Sequence, residues 1–430
     1  MTSDIKSPAS TPFAWPDFRH LLVATGCATA GSRALAVVLG YKVYEVTGDP
    51  LALGMLGLVE AIPSVGLALY GGHVADRFDR RSILRVTLAT LAACAAALAM
   101  LEATGADRAE LFLLYTVVFI AGIARGFSEP AAAALEPQVV PWELIVHSST
   151  IMASCWLSAA VVGPLIGGVA FSFCGAAWTF VGIGVLYAAA WAFVGRIAPR
   201  PPATAAEHES VWQSVAAGVR YVWRDQVLLS SMALDLFAVL FGGAIALLPV
   251  FAEDILHVGP VGLGILNAAP TAGALVTMLL ATRHPPVKHA GRNLLVAVAG
   301  FGVTMIVFAL SESMVLSVIM LFLSGVCDGV SVVVRRAIVR LMSPEHLRGR
   351  IASVSMIFIG SSNELGALES GVAARLVGTV PSVWIGGIVT MVIVAAAAWR
   401  APKLRALSLD PTRTLQRDAE VDESLDAAVE

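Results

Sequence analysis

The chain of 430 residues is 57% hydrophobic and only 14% charged. Its mean hydropathy of +0.80 lies far above the range of soluble globular domains, which excludes a soluble protein and indicates a membrane protein. The formal net charge of -3 excludes little, because the charged residues are segregated along the chain.

Long apolar segments recur along nearly the whole chain. Each contains roughly 20 residues, about the length that crosses a bilayer as a helix. The sequence therefore predicts an all-α integral membrane protein with twelve transmembrane helices. The predicted spans are 20–44, 51–72, 83–101, 111–135, 146–173, 176–195, 226–252, 261–281, 293–310, 314–342, 350–376 and 382–399.

The basic residues are distributed unevenly between the predicted loops. Of the 28 Lys and Arg residues, 23 lie in alternate loops and in the two terminal segments. The intervening loops contain only Arg108 and Arg375, while Arg33, Lys42 and Arg125 lie within predicted helices. Cytoplasmic loops of membrane proteins carry such an excess of Lys and Arg, so we expect both termini in the cytoplasm.

Predicted helices 2 and 8 contain similar segments, LGLVEAIPSVG at 56–66 and LGILNAAPTAG at 263–273, separated by almost half the chain. The shared mid-helix proline and flanking glycines indicate two related halves, and six-helix halves with a site between them recur in transporters. Segment 1–19 lacks an apolar core, so we expect no cleavable secretory peptide. The predicted organisation is a cytoplasmic segment 1–19, a first half 20–195, a cytoplasmic linker 196–225, a second half 226–399 and a disordered cytoplasmic tail 400–430.

The linker contains valines at helical spacing within residues 210–226, namely Val211, Val215, Val219 and Val222. This pattern predicts an amphipathic helix on the inner membrane face. A structural linker is the favoured interpretation, and a ligand-binding segment is the alternative.

The loop after predicted helix 2 has the sequence GHVADRFDRR at 72–81. Gly72 would let helix 2 approach a neighbour closely, while Asp76 suits a helix N-terminus and Arg80 can pair with an acid. The segment resembles the loop 2–3 signature of the major facilitator superfamily, except that Asp79 replaces the usual glycine. The resemblance implies a cytoplasmic gate motif made of Gly72, Asp76, Arg77, Arg80 and Arg81. A basic loop that only sets topology is the alternative.

Predicted helix 5 contains GPLIGG at 163–168. Proline removes a backbone hydrogen bond and glycines permit close packing, so this segment can bend or seal against another helix. It is similar to the glycine–proline signature of antiporters in the same superfamily, although Thr150 and Ala159 replace two upstream glycines. The resemblance implies export and assigns the motif to Gly163, Pro164, Gly167 and Gly168. An ordinary helix-packing site is the alternative.

Further similarities at 124–130, 328–331, 347–350 and 361–366 extend the resemblance over nearly the full chain. They look like the drug:proton antiporter branch that includes siderophore and macrolide exporters. The resemblance implies a twelve-helix fold in two pseudo-symmetric halves, alternating access, and efflux driven by protons. It does not imply a particular substrate.

Eight ionisable residues lie well inside the predicted helices. At roughly 2.5–3.5 kcal/mol each for lipid exposure, their combined cost would be on the order of 20 kcal/mol, more than the net stability of an ordinary domain. They must therefore face the helix-bundle interior or a wet cavity. These candidates for proton coupling or the substrate cavity are Arg33, Glu60, Arg125, Glu129, Asp235, Asp328, Glu364 and Glu369.

Acids outnumber bases within this set. Even if Lys42 and Arg335 offset two carboxylates, at least two remain unpaired, and an unpaired buried carboxylate takes up a proton. This excess is the physical basis on which we predict proton coupling.

Spacing suggests specific pairings among these residues. Arg125 and Glu129 are four residues apart, and Asp328 and Arg335 are seven apart, so each couple shares a helix face. Aligning the similar segments of helices 2 and 8 matches Glu60 with the neutral Asn267, which favours a functional role for Glu60. A static interior ion pair is the alternative for each charged residue.

The sequence argues against enzymatic functions. It has no GxxxxGKS or GxxxxGKT segment and only four lysines, which argues against ATP hydrolysis. It has no metal-ligand cluster or nucleophile–base set, so we expect neither catalysis nor a metal or other cofactor.

The function predicted is proton-coupled export of amphipathic small molecules, drugs or a siderophore, across a bacterial inner membrane. The expected partners are the small-molecule substrate, protons and the lipid bilayer; no nucleic acid is expected, and a monomer suffices. Proton-coupled uptake of a small nutrient is the main alternative, and a receptor or assembly partner without transport is another.

We expect Glu60→Gln and Glu364→Gln each to abolish proton-coupled transport while the protein still inserts into the membrane. Transport assays on membranes with matched protein content check this expectation. Unchanged transport in both variants would remove the two residues from the coupling mechanism.

Overall fold

The computed structural model describes residues 11–104, 110–200, 219–242, 244–284, 286, 288–344 and 347–409. This part of the chain is almost entirely helical and contains no strand, as the hydropathy pattern predicted. The first four long helices are α1 (Pro16–Thr47), α2 (Pro50–Arg77), α3 (Arg80–Thr104) and α4 (Glu110–Leu135).

A single helical run, Ile145–Val194, follows α4 and is interrupted at Gly175. Gly175 has φ 76° and ψ 174°, a backbone conformation that side-chain-bearing residues rarely adopt, so the run divides there into α5 (145–174) and α6 (176–194). The later helices are α7 (Gln226–Gly242), α8 (Gly259–Ala281), α9 (Ala290–Ala309), α10 (Met314–Met342), α11 (Arg348–Val377) and α12 (Thr379–Arg400). Short turns at Ala244–Leu247 and Leu248–Val250 and a π-helix at Phe251–Ile255 extend α7.

Ten segments of the described chain are long and apolar enough to cross a membrane, fewer than the twelve predicted. The difference has two sources. The run α5–α6 counts as one segment although Gly175 divides it into two helices. Helix α11, which carries Glu364 and Glu369, is not among the ten segments. Each predicted span nevertheless coincides with one of the helices α1 to α12.

Parts of the predicted domain organisation lie outside the described residues. These are residues 1–10, the tail beyond 409, and residues 201–218 of the linker, which include Val211 and Val215 of the predicted amphipathic helix. Within the linker, residues 219–224 are helical and Val222 is buried.

The two faces of the bundle are identified by the chain ends that meet there. At one face the start of α3 meets the end of α4, since Arg80 Nη1 donates to the Ala134 carbonyl at 3.2 Å. The start of α7 meets the end of α12 there too, through Gln226 Nε2 and the Arg400 carbonyl at 3.0 Å. We call this the terminal face, because α1 begins and α12 ends there, and the other the opposite face.

Helix packing in the second part of the chain repeats that in the first. In the first part, α1 packs on α5, α2 on α4, and α3 on both α4 and the α5–α6 run. In the second, α7 packs on α11, α8 on α10, and α9 on both α10 and α12. The pairings are related by a shift of six helices, which supports the predicted relationship between the halves.

The register between α2 and α8 differs from the one that the sequence suggested. A Cβ added at Gly122 of α4 would lie 2.5 Å from the carbonyl oxygen of Glu60 on α2. A Cβ added at Gly325 of α10 would collide with the carbonyl oxygen of Pro270 on α8. Because Gly122 and Gly325 make equivalent contacts, Glu60 corresponds to Pro270. The pairing of Glu60 with Asn267, three positions earlier on α8, was therefore wrong.

Contacts on the next helical turn give the same register. A Cβ at Gly126 would lie 3.1 Å from Cβ of Leu67, and one at Gly329 would lie 2.8 Å from Cβ of Thr277. A shift of three positions is close to one helical turn, about 3.6 residues, so the shifted residues still lie on nearly the same face of α8. The similarity between the two sequence segments therefore could not distinguish the two alignments.

Two crossings without intervening side chains join the first six helices to the last six near the opposite face. A Cβ at Gly371 of α11 would lie 3.0 Å from the Gly54 Cα of α2. A Cβ at Gly168 of α5 would lie 3.1 Å from the Gly264 Cα of α8 and collide with the Pro260 carbonyl oxygen. In lipid, where apolar attraction between helices is absent, such close backbone approach supplies much of the packing energy.

We expect Gly168→Leu to destabilise the opposite-face closure, because the leucine would force α5 and α8 apart. Overpacking of this kind costs about 1–3 kcal/mol. Thermal unfolding in detergent should show a lower midpoint, and a cysteine probe on the opposite face should react faster. Gly182→Leu on α6 is the matched control, since Gly182 is exposed and has no atom within 4 Å of its Cβ position. Equal effects of the two substitutions would contradict the assignment.

Candidate functional site

A charged cluster lies among the first six helices. Glu60 of α2 and Arg125 of α4 form an ion pair, with side chains 25% and 21% exposed. Arg33 of α1 is exposed and its guanidinium carbon lies 5.6 Å from the ring centroid of Trp156 on α5. Arg33 also interacts electrostatically with Arg125 and with the exposed Glu129 of α4. We call Arg33, Glu60, Arg125 and Glu129 the first charge cluster.

The predicted pairing of Arg125 with Glu129 was wrong, since Arg125 pairs with Glu60 on another helix. Residues four apart share a helix face, but that spacing says nothing about a neighbouring helix. Here Gly122 and Gly126 bring α4 against the α2 backbone, which places Glu60 beside Arg125.

A second cluster lies among the last six helices. Asp235 of α7 and Arg335 of α10 are 6% and 8% exposed, and Arg335 Nη1 lies 2.5 Å from Asp235 Oδ2. Arg335 Nε also donates to Ser331 Oγ at 3.2 Å. Asp328 of α10 interacts electrostatically with Arg335 and Asp235. We call Asp235, Asp328 and Arg335 the second charge cluster.

A small cavity adjoins the second cluster between α7, α9 and α10. Its volume is about 20 Å³, enough for one water molecule. Its polar lining is Asp235, Cys327, Asp328 and Ser331, and its apolar lining includes Phe301. The predicted pairing of Asp328 with Arg335 holds only as an electrostatic interaction, because Asp235 forms the ion pair with Arg335.

The remaining two candidate acids lie on α11. Glu369 is partly buried and its carboxylate interacts with the Ser370 hydroxyl. Glu364 lies one and a half turns earlier on the same helix, and its side chain is outside the described residues. The structure does not bring Glu369 into either charge cluster among the side chains it describes.

The gate motif lies at the terminal face, where Arg80 joins three helices. Arg80 is 8% exposed, and its Nε donates to the Ala75 carbonyl of α2 at 3.1 Å while Nη1 reaches Ala134 of α4. Its Nη2 lies 3.7 Å from Oδ1 of Asp76, whose side chain is 65% exposed. Arg81 donates to the carbonyl oxygen of Gly195 at 2.5 Å and so fastens α3 to the end of α6.

Two other members of the gate motif face open space. Arg77 is exposed, and a Cβ added at Gly72 would meet no atom within 4 Å. The close approach predicted for Gly72 is made instead by Gly71, where an added Cβ would collide with the Gly126 carbonyl oxygen of α4. Neighbouring helix residues point about 100° apart, so only one of the two glycines can face α4.

The helix 5 motif is packed between two helices. A Cβ at Gly163 would lie 2.6 Å from the Ala30 carbonyl oxygen of α1, and one at Gly167 would lie 2.9 Å from Cα of Ala34. Gly168 faces α8, and the Pro164 carbonyl oxygen lies 2.6 Å from the Cβ position of Gly264. All four motif residues are buried, so the motif packs α5 against α1 on one side and α8 on the other.

Polar contacts at the opposite face were absent from the sequence-based candidates. Tyr41 donates to Glu253 Oε2 at 2.6 Å, and Tyr44 donates to Asp254, so α1 is bonded to the extension of α7. In addition, Arg375 Nη1 lies 3.4 Å from Asp49 Oδ2, and Lys42 Nζ lies 3.2 Å from Glu102 Oε2 and 3.4 Å from Glu45 Oε2. In the sequence, only the two adjacent acids at 253–254 after an apolar span indicated a polar contact here. Their partners could not be predicted, because Tyr41 and Tyr44 lie about 210 residues earlier in the chain.

We expect Glu60→Gln and Arg125→Gln each to lower the thermal unfolding midpoint, because each leaves a partly buried charge without its partner. Removing one partner of a buried pair costs up to about 3–5 kcal/mol, and partial exposure should reduce this. The double substitution should cost less than the two single effects added together, which a double-mutant cycle in detergent measures. Glu129→Gln on the exposed side of α4 is the control, and additive effects of the Glu60 and Arg125 substitutions would contradict the pairing.

Comparisons with known proteins agree with this architecture. Residues 7–428 match the family model MFS_3, described as transmembrane secretion effector. The multidrug efflux pump Tap of Mycolicibacterium fortuitum is 24% identical over 408 residues, covering 90% of this chain and 96% of that protein. The enterobactin exporter EntS of Citrobacter koseri is 24% identical over 407 residues, covering 90% and 94%.

Solved structures share the fold at low sequence identity. A bacterial homologue of the human lysosomal transporter Spinster, in an inward-facing and unoccupied conformation, superposes with a TM-score of 0.72 at 14% identity, covering 90% of this chain and 97% of that one. A D-xylose–proton symporter gives a TM-score of 0.70 at 12% identity, covering 91% and 99%. The family match extends over nearly the whole chain, and the chain therefore belongs to the transmembrane secretion effector family of the major facilitator superfamily.

Proposed function

We propose that the protein exports amphipathic small molecules, drugs or a siderophore, in exchange for protons by alternating access. The observation that carries this proposal is the joining of the first six and last six helices at the opposite face. There the Tyr41–Glu253 hydrogen bond and the Asp49–Arg375 ion pair accompany the crossings at Gly168 and Gly371. Such contacts can be broken to open that face.

The terminal face offers a motif for the alternate closed state. Arg80 holds α2, α3 and α4 together, while Asp76 and Arg77 are exposed. Exposed charges at this position can form new ion pairs when the helices of the two halves approach each other. Closing the terminal face while the opposite face opens would move a bound molecule across the membrane.

Export is favoured over uptake by the relatives and by the helix 5 motif. Tap is named a multidrug efflux pump and EntS an enterobactin exporter, and each aligns over nine tenths of this chain. The D-xylose–proton symporter has the same fold, so architecture alone does not set direction. Proton-coupled uptake of a small nutrient is the second candidate.

The proposed orientation places the terminal face in the cytoplasm of a bacterium with an inner-membrane location. The predicted cytoplasmic loops contain most of the Lys and Arg residues, as cytoplasmic loops generally do. The proposed halves are residues 20–195 and 226–399, working as a monomer without catalysis. The substrate would bind between them, within reach of the first charge cluster.

The direct test uses proteoliposomes with a proton gradient opposed to the direction of export. Ethidium, tetracycline, a macrolide and a catecholate siderophore are the probes, and a pH-sensitive dye reports proton movement. We expect at least one probe to accumulate and to dissipate the gradient in wild type, and both signals to be lost in the double variant Glu60→Gln/Arg125→Gln. Liposomes without protein are the blank, and proton movement in the same direction as the probe would support uptake instead.

A further inference from the structure

The two charge clusters differ in their balance of acids and bases. The first contains two acids and two bases, with Glu60 paired to Arg125 and Glu129 in electrostatic contact with Arg33. The second contains two carboxylates and one guanidinium. A buried excess negative charge is costly, and binding one proton removes that excess.

Within the second cluster, the two carboxylates have different surroundings. Asp235 is held by Arg335 in a buried ion pair. Asp328 lines the cavity and makes no hydrogen bond to any residue in the described part of the chain, although it interacts electrostatically with Arg335. Asp328 is therefore the carboxylate whose charge has no direct partner there.

The helix repeat strengthens this distinction. The correspondence that relates Gly325 to Gly122 and Gly329 to Gly126 also relates Asp328 to Arg125. Asp328 and Arg125 thus occupy equivalent positions on α10 and α4. The first half places a base there, beside Glu60, while the second half places an acid beside a carboxylate that already has a partner. A shared packing requirement does not explain opposite charges at one position.

No basic side chain is among the described residues that line the cavity. From α9 the cavity is lined by Ala297, Val298 and Phe301, and from α7 by Asp235 with Ala238 and Val239. From α10 come Cys327, Asp328 and Ser331, with Arg335 one turn further on. On α8, the neutral Thr277 packs against Gly329. The titratable and charged groups here are Asp235, Asp328, Cys327 and Arg335.

We propose that Asp328 binds the coupling proton, with Arg335 as the positioning residue that keeps Asp235 ionised. This assignment rests on the proposed proton-coupled export and deepens it. A hydronium ion reaching the cavity transfers its proton to a carboxylate oxygen of Asp328 and becomes water, so one O–H bond forms as another breaks. After the open face has changed, the reverse transfer to water on the other side releases the proton. When Asp328 is ionised, it competes with Asp235 for Arg335, which links proton binding to the contact between α7 and α10.

Infrared difference spectroscopy of the purified full chain in lipid nanodiscs tests the proton site without any substrate. A pH step should reveal the carbonyl band of one protonated carboxyl group in wild type. Asp328→Asn should remove the band, and Asp235→Asn should remove it too, because Arg335 would then pair with Asp328. Asp328→Glu should shift the band, whereas Asp235→Glu should leave its position unchanged.

Glu60→Gln is the matched control from the balanced first cluster and should keep the band. The proposal is overturned if wild type lacks the band, if Asp328→Asn retains it, or if Asp235→Glu shifts it. The two glutamate variants preserve charge, so they decide the assignment even if an asparagine variant fails to fold.

Transport separates this proposal from the proposed function. In proteoliposomes with the ethidium probe, Asp328→Asn should lose accumulation driven by the proton gradient but keep exchange of labelled for unlabelled ethidium. Gradient-driven accumulation in that variant would overturn the assignment. If wild type moves none of the probes, export fails as the function, while the infrared result still decides whether Asp328 binds the proton.

Discussion

Close backbone approach between helices is the constraint on which the rest of this structure depends. In a bilayer, apolar side chains gain little by leaving lipid for protein, so helices associate where small residues permit contact. The crossings of α2 with α11 and of α5 with α8 meet at Gly54, Gly371, Gly168 and Gly264. These crossings fix which helices are neighbours, and neighbours determine which buried charges can meet.

The buried charges are tolerated because partners on other helices compensate them. An ionised side chain in hydrocarbon is costly, and an ion pair with good geometry offsets much of that cost. Glu60 reaches Arg125 because α2 lies against α4, and Asp235 reaches Arg335 at 2.5 Å across α7 and α10. Among the described residues, one charge cluster therefore lies within the first six helices and one within the last six, and the second has one carboxylate more than it has bases.

The opposite face combines these two kinds of interaction. Glycine crossings bring the helix backbones together, and Tyr41, Glu253, Asp49 and Arg375 add polar contacts at the rim. Rim contacts between exposed charges are individually weak, with a typical worth of about 0–1 kcal/mol. A closure made of many modest contacts can be exchanged for another of similar energy, as alternating access requires.

The sequence by itself determined the membrane class, the positions of the helices, the family resemblance and which charged residues lie within the helices. These follow from hydropathy and residue type, which are local properties. Only the tertiary structure decided that Arg125 pairs with Glu60, that Gly71 rather than Gly72 packs on α4, and that Glu60 corresponds to Pro270 of α8. Helical periodicity repeats a face every few residues, so a pattern cannot distinguish registers one turn apart. Partner choice depends on contacts between helices far apart in the chain, and those contacts are set by where small residues let backbones cross.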